Sequence, residues 1–96
     1  MLMVTSTAAA VLKGAKSEEG ASKEAGIRLR RGIDATDFED RVIPIGFAIS
    51  DSPEPGDQSF EQQGLLIFVE SALIEPLDGR ILDVRFEKNR TELFFR

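Results

Sequence analysis

The stretch of the sequence that most constrains the fold is residues 53–83, PEPGDQSFEQQGLLIFVESALIEPLDGRILD, in which chain breakers separate short regular segments. The prolines and the glycine of residues 53–57 exclude a continuous helix or a central strand, so they predict a rigid polar corner. A short extended segment around Phe60, a glycine-containing break at residues 62–64 and the apolar run 65–69 come next. Two strand-like segments about such a break predict a β-hairpin.

The second half of this stretch changes its periodicity. Residues 70–75 predict one or two turns of helix, which we expect to end before Pro76 because proline disrupts a helix interior. Residues 77–80, Leu-Asp-Gly-Arg, predict a tight turn. Residues 81–86 predict a strand, since apolar and charged side chains alternate along most of it.

The start of the chain predicts a helix. Four apolar residues share one helical stripe, at the spacing i, i+3, i+4 and i+7: Ala8, Val11, Leu12 and Ala15. Residues 5–7, Thr-Ser-Thr, are all candidate N-caps. Gly20 is expected to end the helix, and Gly14 weakens it by about 1 kcal/mol relative to alanine, so the helix must pack on the rest of the domain.

The middle of the chain carries two candidate strands with a polar segment between them. Ile27 and Leu29 alternate with arginines, which predicts a strand with one solvated face. Residues 32–41, GIDATDFEDR, show no apolar period and are predicted to form a loop. Residues 43–49 alternate between large apolar and small side chains, which predicts a strand whose outer face is formed by small residues.

The remaining signals complete a sheet. Pro44 lacks a backbone N–H, so the strand at residues 43–49 is expected at a sheet edge or a bulge. Residues 87–90 predict a hairpin turn with Asn89 at positive φ, and residues 91–95 predict the last strand. Six or seven short strands, one helix at the front and one late helical turn predict a mainly β, α+β fold. We expect a small twisted β-sandwich or flattened barrel of mostly antiparallel strands with the N-terminal helix packed on it.

The same elements resemble the HesB/IscA-like family, the A-type iron–sulfur carriers. That family has an acidic proline-containing corner, a Phe-Glu pair, a glycine turn, an apolar strand, a serine-containing helical turn and Leu-Asp-Gly before the next strand. In this sequence they correspond to residues 53–57, Phe60-Glu61, Gly64, residues 65–69, Ser71 and residues 77–79. The resemblance covers nearly the whole chain and implies a single HesB-like domain over residues 1–96.

The resemblance also implies where the ligands of such a carrier would be. Three cysteines of the family hold iron or a cluster, one in the loop after a Gly-Ile-Arg-Leu type strand and two in a Cys-Gly-Cys tail after the last strand. The first place corresponds to the loop 32–41, and the second would lie past Phe95, yet the 96 residues contain no cysteine. Because iron–sulfur clusters are normally held by thiolates, no cofactor-binding residue can be assigned and no cofactor is expected.

Composition narrows the chemistry further. The chain has no cysteine and no histidine, which removes thiolate catalysis, the commonest general base and the commonest metal ligands. We therefore expect a non-enzyme. The missing cysteine fits a reducing cytoplasm, and no apolar stretch is long enough for a membrane span. Residues 1–4 lack the basic leader of a signal peptide.

Charge argues against nucleic acid as a partner. The net charge is −5, and residues 34–61 carry eight acidic residues and one arginine, a local charge of −7. Contacts with phosphate groups need clustered lysine and arginine side chains. The expected partner is a protein, although the sequence does not identify it.

The acidic loop is the candidate for a metal site. Its four carboxylates offer hard oxygen ligands suited to Mg²⁺, Ca²⁺ or Mn²⁺: Asp34, Asp37, Glu39 and Asp40. Their spacing lacks the regular alternation of an EF-hand loop, so the prediction is a solvated acidic loop, with a metal site as the alternative.

Carboxylates near the proline corner are candidates for acid–base chemistry, which needs two of them in different environments of one cleft. A pocket lined by Asp51 or Glu61 would be required, with Glu54 also nearby. For Asp57 we predict instead that its side chain accepts backbone N–H groups of the corner.

Most phenylalanines occupy strand positions and are predicted to fill the core: Phe47, Phe60, Phe68, Phe86, Phe94 and Phe95. Since Phe94 and Phe95 are adjacent in a strand, they should face opposite ways, and the outward one would favour self-association.

The leading hypothesis is a non-catalytic HesB/IscA-like domain that has lost iron–sulfur ligation and acts as an accessory or protein-binding module related to cluster assembly. A small metal-binding protein that uses the acidic loop is one alternative. A carboxylate-based enzyme or small-molecule binder is the other.

Overall fold

Seven strands and two helices make up the part of the chain that the computed structural model describes, residues 1–37 and 42–96. For residues 33–37 and 42–44 it describes the backbone alone. In chain order the elements are β1 (Met3–Val4), α1 (Ser6–Glu18), β2 (Gly26–Asp37), β3 (Val42–Ser50), β4 (Gln58–Gln62), β5 (Leu65–Val69), α2 (Ser71–Leu77), β6 (Ile81–Glu87) and β7 (Arg90–Phe95).

The strands form two sheets, which confirms the predicted mainly β, α+β sandwich. One sheet has four strands in the order β3-β2-β5-β4, and the other has three in the order β1-β6-β7. The neighbours pair antiparallel except for β2 with β5 and β1 with β6, which pair parallel. The parallel pairs join segments far apart in sequence, so the two ends of the chain meet in one sheet.

The core lies between the two sheets and under α1. Alternate residues of each strand point inward, as the period of two requires, and helix α1 adds its buried side. The members are Leu2, Val4, Ala8, Ala9, Leu12, Ile27, Leu29, Ile45, Leu65, Ile67, Val69, Leu73, Leu77, Leu82 and Phe95. Among the described residues, neither helix has the length and apolarity needed to cross a membrane.

Helix α1 begins and ends as the sequence predicts. The Thr5 hydroxyl accepts a hydrogen bond from the backbone N–H of Ala8 at 3.1 Å, so Thr5 is the N-cap. Gly20 has φ +69°, the left-handed conformation typical of a helix end. The predicted apolar stripe needs one correction, because Ala9 is buried and Ala15 is exposed. Relative to the prediction, helix α1 is therefore rotated about its axis so that Ala8, Ala9 and Leu12 face the core.

The prediction of a loop at residues 32–41 is wrong for residues 32–37, which belong to strand β2. Strand β2 continues to Asp37 and pairs with β3 up to Asp37 opposite Val42, with a register shift between Arg31 and Ala35. The reason is that β3 supplies hydrogen-bond partners along this polar segment, which apolar periodicity cannot reveal. Residues 38–41 lie outside the described residues.

Helix α2 also differs from the prediction, because it runs to Leu77 and contains Pro76. Proline removes one backbone donor from a helix, but here it falls one residue before the end. Leu77 is buried in the core, and this packing keeps the last turn helical. The predicted turn after it is confirmed, with Gly79 at φ +76°.

The two predicted hairpin turns are confirmed. Gln63 and Gly64 join β4 to β5 with φ values of +53° and +72°. Lys88 and Asn89 join β6 to β7 with φ values of +40° and +70°. Two successive residues at positive φ are the geometry that fits the twist of a two-residue hairpin.

Candidate functional site

The four acidic residues of the metal alternative are not brought together by anything that the structure describes. Asp34 and Asp37 are residues of strand β2, for which the structure describes the backbone at these positions but not the side chains. Glu39 and Asp40 lie outside the described residues. Among the described residues, no group of three or more potential metal ligands occurs. A metal site in this segment therefore stays a prediction.

The proline corner is held to the four-stranded sheet by one ion pair. The guanidinium of Arg28 donates from Nε to Oδ2 of Asp57 at 2.9 Å and from Nη2 to Oδ1 at 3.0 Å. The Asp57 side chain is 1% exposed and that of Arg28 is 13% exposed. Such a two-pronged pair fixes both distance and orientation, so the corner lies in a defined position on the outer side of β2.

Asp57 also organises the backbone of the corner, as predicted. Its Oδ2 accepts the N–H of Glu54 at 2.9 Å, while its own N–H donates to the carbonyl oxygen of Glu54 at 3.0 Å. The hydrogen bond from Arg28 is the main reason that the pKa of Asp57 lies below its ordinary value. Asp57 is therefore ionised near neutral pH and serves as an acceptor, not as an acid or base.

Two further carboxylates surround Arg28. Oε2 of Glu54 lies 3.7 Å from Nη2, and Oε2 of Glu70 lies 4.0 Å from Nη1. The hydrogen bond to Asp57 and the nearby negative charges raise the pKa of Arg28. Glu70 also accepts the backbone N–H of Arg31 at 3.0 Å, so this cluster joins β2, the corner and the start of α2.

The geometry gives no support to acid–base chemistry at the corner. Asp51 and Glu61 are both exposed, while Asp57, the buried carboxylate, is held by Arg28. The three depressions described on the surface, of about 650, 390 and 510 Å³, are lined by residues of α1, α2, β2, β3 and adjoining turns, and Asp51 and Glu61 line none of them.

The outer face of the three-stranded sheet exposes apolar side chains. Met3 and Ile81 are opposite each other in the β1–β6 register and are 54% and 38% exposed. Met1, just before β1, is exposed as well. We call Met1, Met3, Ile81 and Phe94 the outer patch. Exposed apolar groups gathered on one face and bordered by charges are typical of protein-binding surfaces.

Phe94 is the aromatic member of this patch and is framed by arginines. The guanidinium carbons of Arg85 and Arg96 lie 5.0 and 5.8 Å from the centre of its ring, within range of cation–π attraction. Phe95 is fully buried and stacks on Phe47 with 6.2 Å between ring centres. The prediction that Phe94 and Phe95 face opposite sides is confirmed.

The prediction that all six phenylalanines fill the core fails at Phe94, which belongs to the outer patch, and at Phe86. Phe86 is 66% exposed, although it follows Leu82 and Val84 on the inward face of β6. It lies at the far end of the strand next to the hairpin turn, where no element of the opposite sheet covers it among the described residues.

Sequence reasoning missed the Arg28–Asp57 pair and the outer patch for the same reason. Asp57 is 29 residues from Arg28, and Met3 is 78 residues from its neighbour Ile81. Both juxtapositions follow from the order of strands in the sheets. The sequence contained one signal for each feature. For the ion pair it was an arginine within a predicted strand, and for the outer patch it was the two methionines at the exposed start of the chain.

Two solved structures share this architecture. IscA, solved with a [2Fe–2S] cluster, matches with a TM-score of 0.74 and 19% sequence identity over 100% of this chain and 84% of the IscA chain. SufA from Escherichia coli, which is involved in the biosynthesis of iron–sulfur clusters, matches with a TM-score of 0.70 and 20% identity over 99% of this chain and 78% of the SufA chain.

No protein-family model matches the chain, and no curated protein matches its sequence. At 19–20% identity the two solved structures establish the fold and nothing finer. The resemblance noted in the sequence is thus confirmed for the architecture, and the chain has the fold of IscA and SufA.

Proposed function

We propose that the chain is a single HesB/IscA-like domain that keeps the carrier fold, has lost iron–sulfur ligation and acts in the cytoplasm as a non-catalytic, protein-binding module of iron–sulfur assembly. The proposal rests on one observation: the chain has the fold of an iron–sulfur carrier but none of the thiolate ligands that hold a cluster. The fold matches IscA over 100% of this chain, whereas the 96 residues contain neither cysteine nor histidine.

The chemistry of the donors that remain supports the proposed loss of ligation. Iron–sulfur clusters are soft centres held by thiolates, in some cases with imidazole. The carboxylates of this chain are hard donors, and Asp57, which is buried, is already occupied by Arg28 and by the N–H of Glu54.

A binding role is supported by the outer patch. Its apolar members lie on one sheet face beside Arg85, Arg96 and Asp83. Arginine next to aromatic and methionine side chains is the composition enriched in protein interfaces. A patch of this kind fits the surface of another protein of the same assembly route.

Reconstitution tests the loss of ligation. The purified protein and IscA are treated in parallel with ferrous iron and sulfide without oxygen and then desalted. We expect visible cluster absorbance from IscA and none from this chain. A stable, stoichiometric chromophore on this chain would overturn the proposal.

Affinity purification from the native cell tests the binding role separately. The wild type is compared with Ile81→Glu, which charges the outer patch, and with Ser59→Glu, an exposed position on the opposite sheet. We expect iron–sulfur assembly proteins to be retained by the wild type and by Ser59→Glu, and to fall several-fold with Ile81→Glu. Retention that is equal for all three baits contradicts the role of the patch.

A further inference from the structure

Three of the four lysines in the chain line one depression on the surface. The depression has a volume of about 510 Å³ and lies between α1, the segment that follows it and the turn from β4 to β5. We call it the lysine depression, and its polar and glycine lining is Lys13, Lys16, Ser17, Ser22, Lys23 and Gly64. A chain with a net charge of −5 thus has a concave surface lined by three cations.

Helix α1 places two of the lysines and a hydroxyl on one side. Lys13, Lys16 and Ser17 have the spacing i, i+3 and i+4, and residues at this spacing are neighbours on a helix surface. The two glutamates at the end of the helix face elsewhere. Glu19 lines the groove between α1 and β3, and Glu18 lies about 140° around the helix from Lys13. The basic side of α1 is therefore separate from its acidic residues.

The end of α1 brings the third lysine, Lys23, to the same depression. The N–H of Gly20 donates to the carbonyl oxygen of Ser17, and the N–H of Ala21 donates to that of Lys16, both at 3.1 Å. With Gly20 at φ +69°, these two hydrogen bonds form a Schellman motif, which ends the helix and turns the chain. The segment after the helix folds back, so that Lys23 lines the depression with Lys16.

Lys13 is positioned by the hairpin turn between β4 and β5. Its ammonium group donates a hydrogen bond to the carbonyl oxygen of Gln63. A Cβ at residue 64 would lie 3.1 Å from Nζ of Lys13, so Gly64 leaves the room that this ammonium group occupies. Because an ammonium group has three N–H donors, two of them remain for a ligand.

The protein does not neutralise these cations. Within residues 1–37 and 42–96, ion pairs are formed by arginines and the N-terminal amine, and none is formed by a lysine. The exposed hydroxyls of Ser17 and Ser22 have no hydrogen bond with another part of the described chain. The C-terminal end of α1 adds a partial charge of about −0.5, which three ammonium groups outweigh. The depression therefore presents donors and positive charge without a counter-ion.

We propose that the lysine depression binds a small soluble molecule with two adjacent phosphate groups. Lysine binds phosphate as a point charge, and serine hydroxyls add hydrogen-bond donors. A single phosphate group carries a charge of about −1.5 to −2 at pH 7, so three ammonium groups match two phosphates better than one. Among the described lining residues, Ala21 alone is apolar apart from glycine, so the site recognises the phosphates and not an apolar group attached to them.

The surrounding charges favour a small anion over an acidic protein. Charges farther apart than about 8 Å are screened at physiological salt, so an anion inside the depression responds mainly to the three lysines. An acidic protein surface would also face Glu18, Glu19 and Glu24, which are exposed nearby in the sequence. The site uses neither the outer patch nor the corner, and it goes beyond the proposed binding role.

Titration calorimetry of the full chain with sodium diphosphate tests the site. We expect saturable one-to-one binding, and weaker binding of inorganic phosphate. Lys16→Gln and Lys23→Gln should each raise the dissociation constant about tenfold, the effect of losing one charge-assisted hydrogen bond. Lys88→Gln removes the same charge from the turn between β6 and β7 and should leave the constant unchanged.

Nuclear magnetic resonance locates the ligand independently of the variants. The amide signals of Ser17, Ser22 and Gly64 should shift as diphosphate is added, with the dissociation constant found by calorimetry. Flotation with phosphatidylcholine vesicles that contain phosphatidic acid distinguishes a lipid headgroup from a soluble ligand, and no binding is expected. The proposal is overturned by the absence of saturable diphosphate binding, by equal affinities for phosphate and diphosphate, by an equal loss in Lys88→Gln, or by binding to the vesicles alone.

Discussion

Arg28 and Asp57 are joined by two hydrogen bonds of 2.9 and 3.0 Å that connect the second strand of the chain to the proline corner. The corner carries no member of the described core, so this pair and its neighbour Glu54 determine where it lies. Removing one partner of a buried ion pair leaves the other charge without compensation in a region that water does not reach well.

Asp57→Ala is therefore expected to lower the free energy of unfolding by about 3 kcal/mol, the low end of the range for buried pairs because Arg28 keeps some contact with water. Chemical denaturation followed by circular dichroism measures the change. Glu92→Ala is the matched control, since its pairs with Arg85 and Arg90 are more exposed and should contribute no more than about 1 kcal/mol. Equal losses for both variants would contradict the special role of Asp57.

The same pair predicts a dependence of stability on pH. Arg28 holds the pKa of Asp57 below its ordinary value of 3.8, so the folded state favours the ionised carboxylate. The stabilisation is present in full above that ordinary value and is lost as the pH falls through the lower pKa of the folded state. Denaturation curves below pH 4 should show this loss in the wild type and a smaller loss in Asp57→Asn. Parallel curves for the two proteins would exclude Asp57 as the cause.

Two glycines should respond to alanine in opposite directions. A Cβ at Gly26 would lie 2.8 Å from the carbonyl oxygen of Leu66 and from the ring of Phe68, so Gly26→Ala should destabilise the protein by about 1–3 kcal/mol. Gly14 lies inside α1 with no heavy atom within 4 Å of such a Cβ, so Gly14→Ala should stabilise by about 1 kcal/mol. Thermal unfolding of the two variants checks both signs, and a stabilising Gly26→Ala would show that β2 and β5 are not in this register.

Local patterns in the sequence were sufficient for most elements. The period of two at Ile27 and Leu29, the cap at Thr5 and the positive φ of Asn89 depend on neighbouring residues alone, and the structure has each of them. The order of strands depends on contacts between distant segments, so the parallel pairing of Met3 with Ile81 could be expected only from a resemblance to a known fold.

The errors have physical causes of the same type. Strand β2 extends to Asp37 because β3 pairs with it, and α2 continues past Pro76 because Leu77 is anchored in the core. In both cases a tertiary contact overrides a local preference. The Arg28–Asp57 pair was less predictable from the sequence. Arg28 is one of three similar arginines, and only the folded chain shows which of them contacts Asp57.

The alternative that the acidic residues 34–40 bind a metal ion can be tested by titration. Titration calorimetry with Ca²⁺, Mn²⁺ and Fe²⁺ should give negligible heats for the wild type and for the double variant Asp37→Ala/Asp40→Ala. Saturable binding by the wild type that the double variant loses would establish a carboxylate metal site and contradict this expectation.

Isolation of the protein from its native cell without oxygen shows whether the folded chain carries an iron–sulfur cluster, with iron and acid-labile sulfide measured per chain and the sample examined by Mössbauer spectroscopy. We expect no stoichiometric iron or sulfide and no cluster spectrum, since the 96 residues offer no thiolate. A tightly held iron–sulfur centre, in a fixed ratio to the chain, would contradict it.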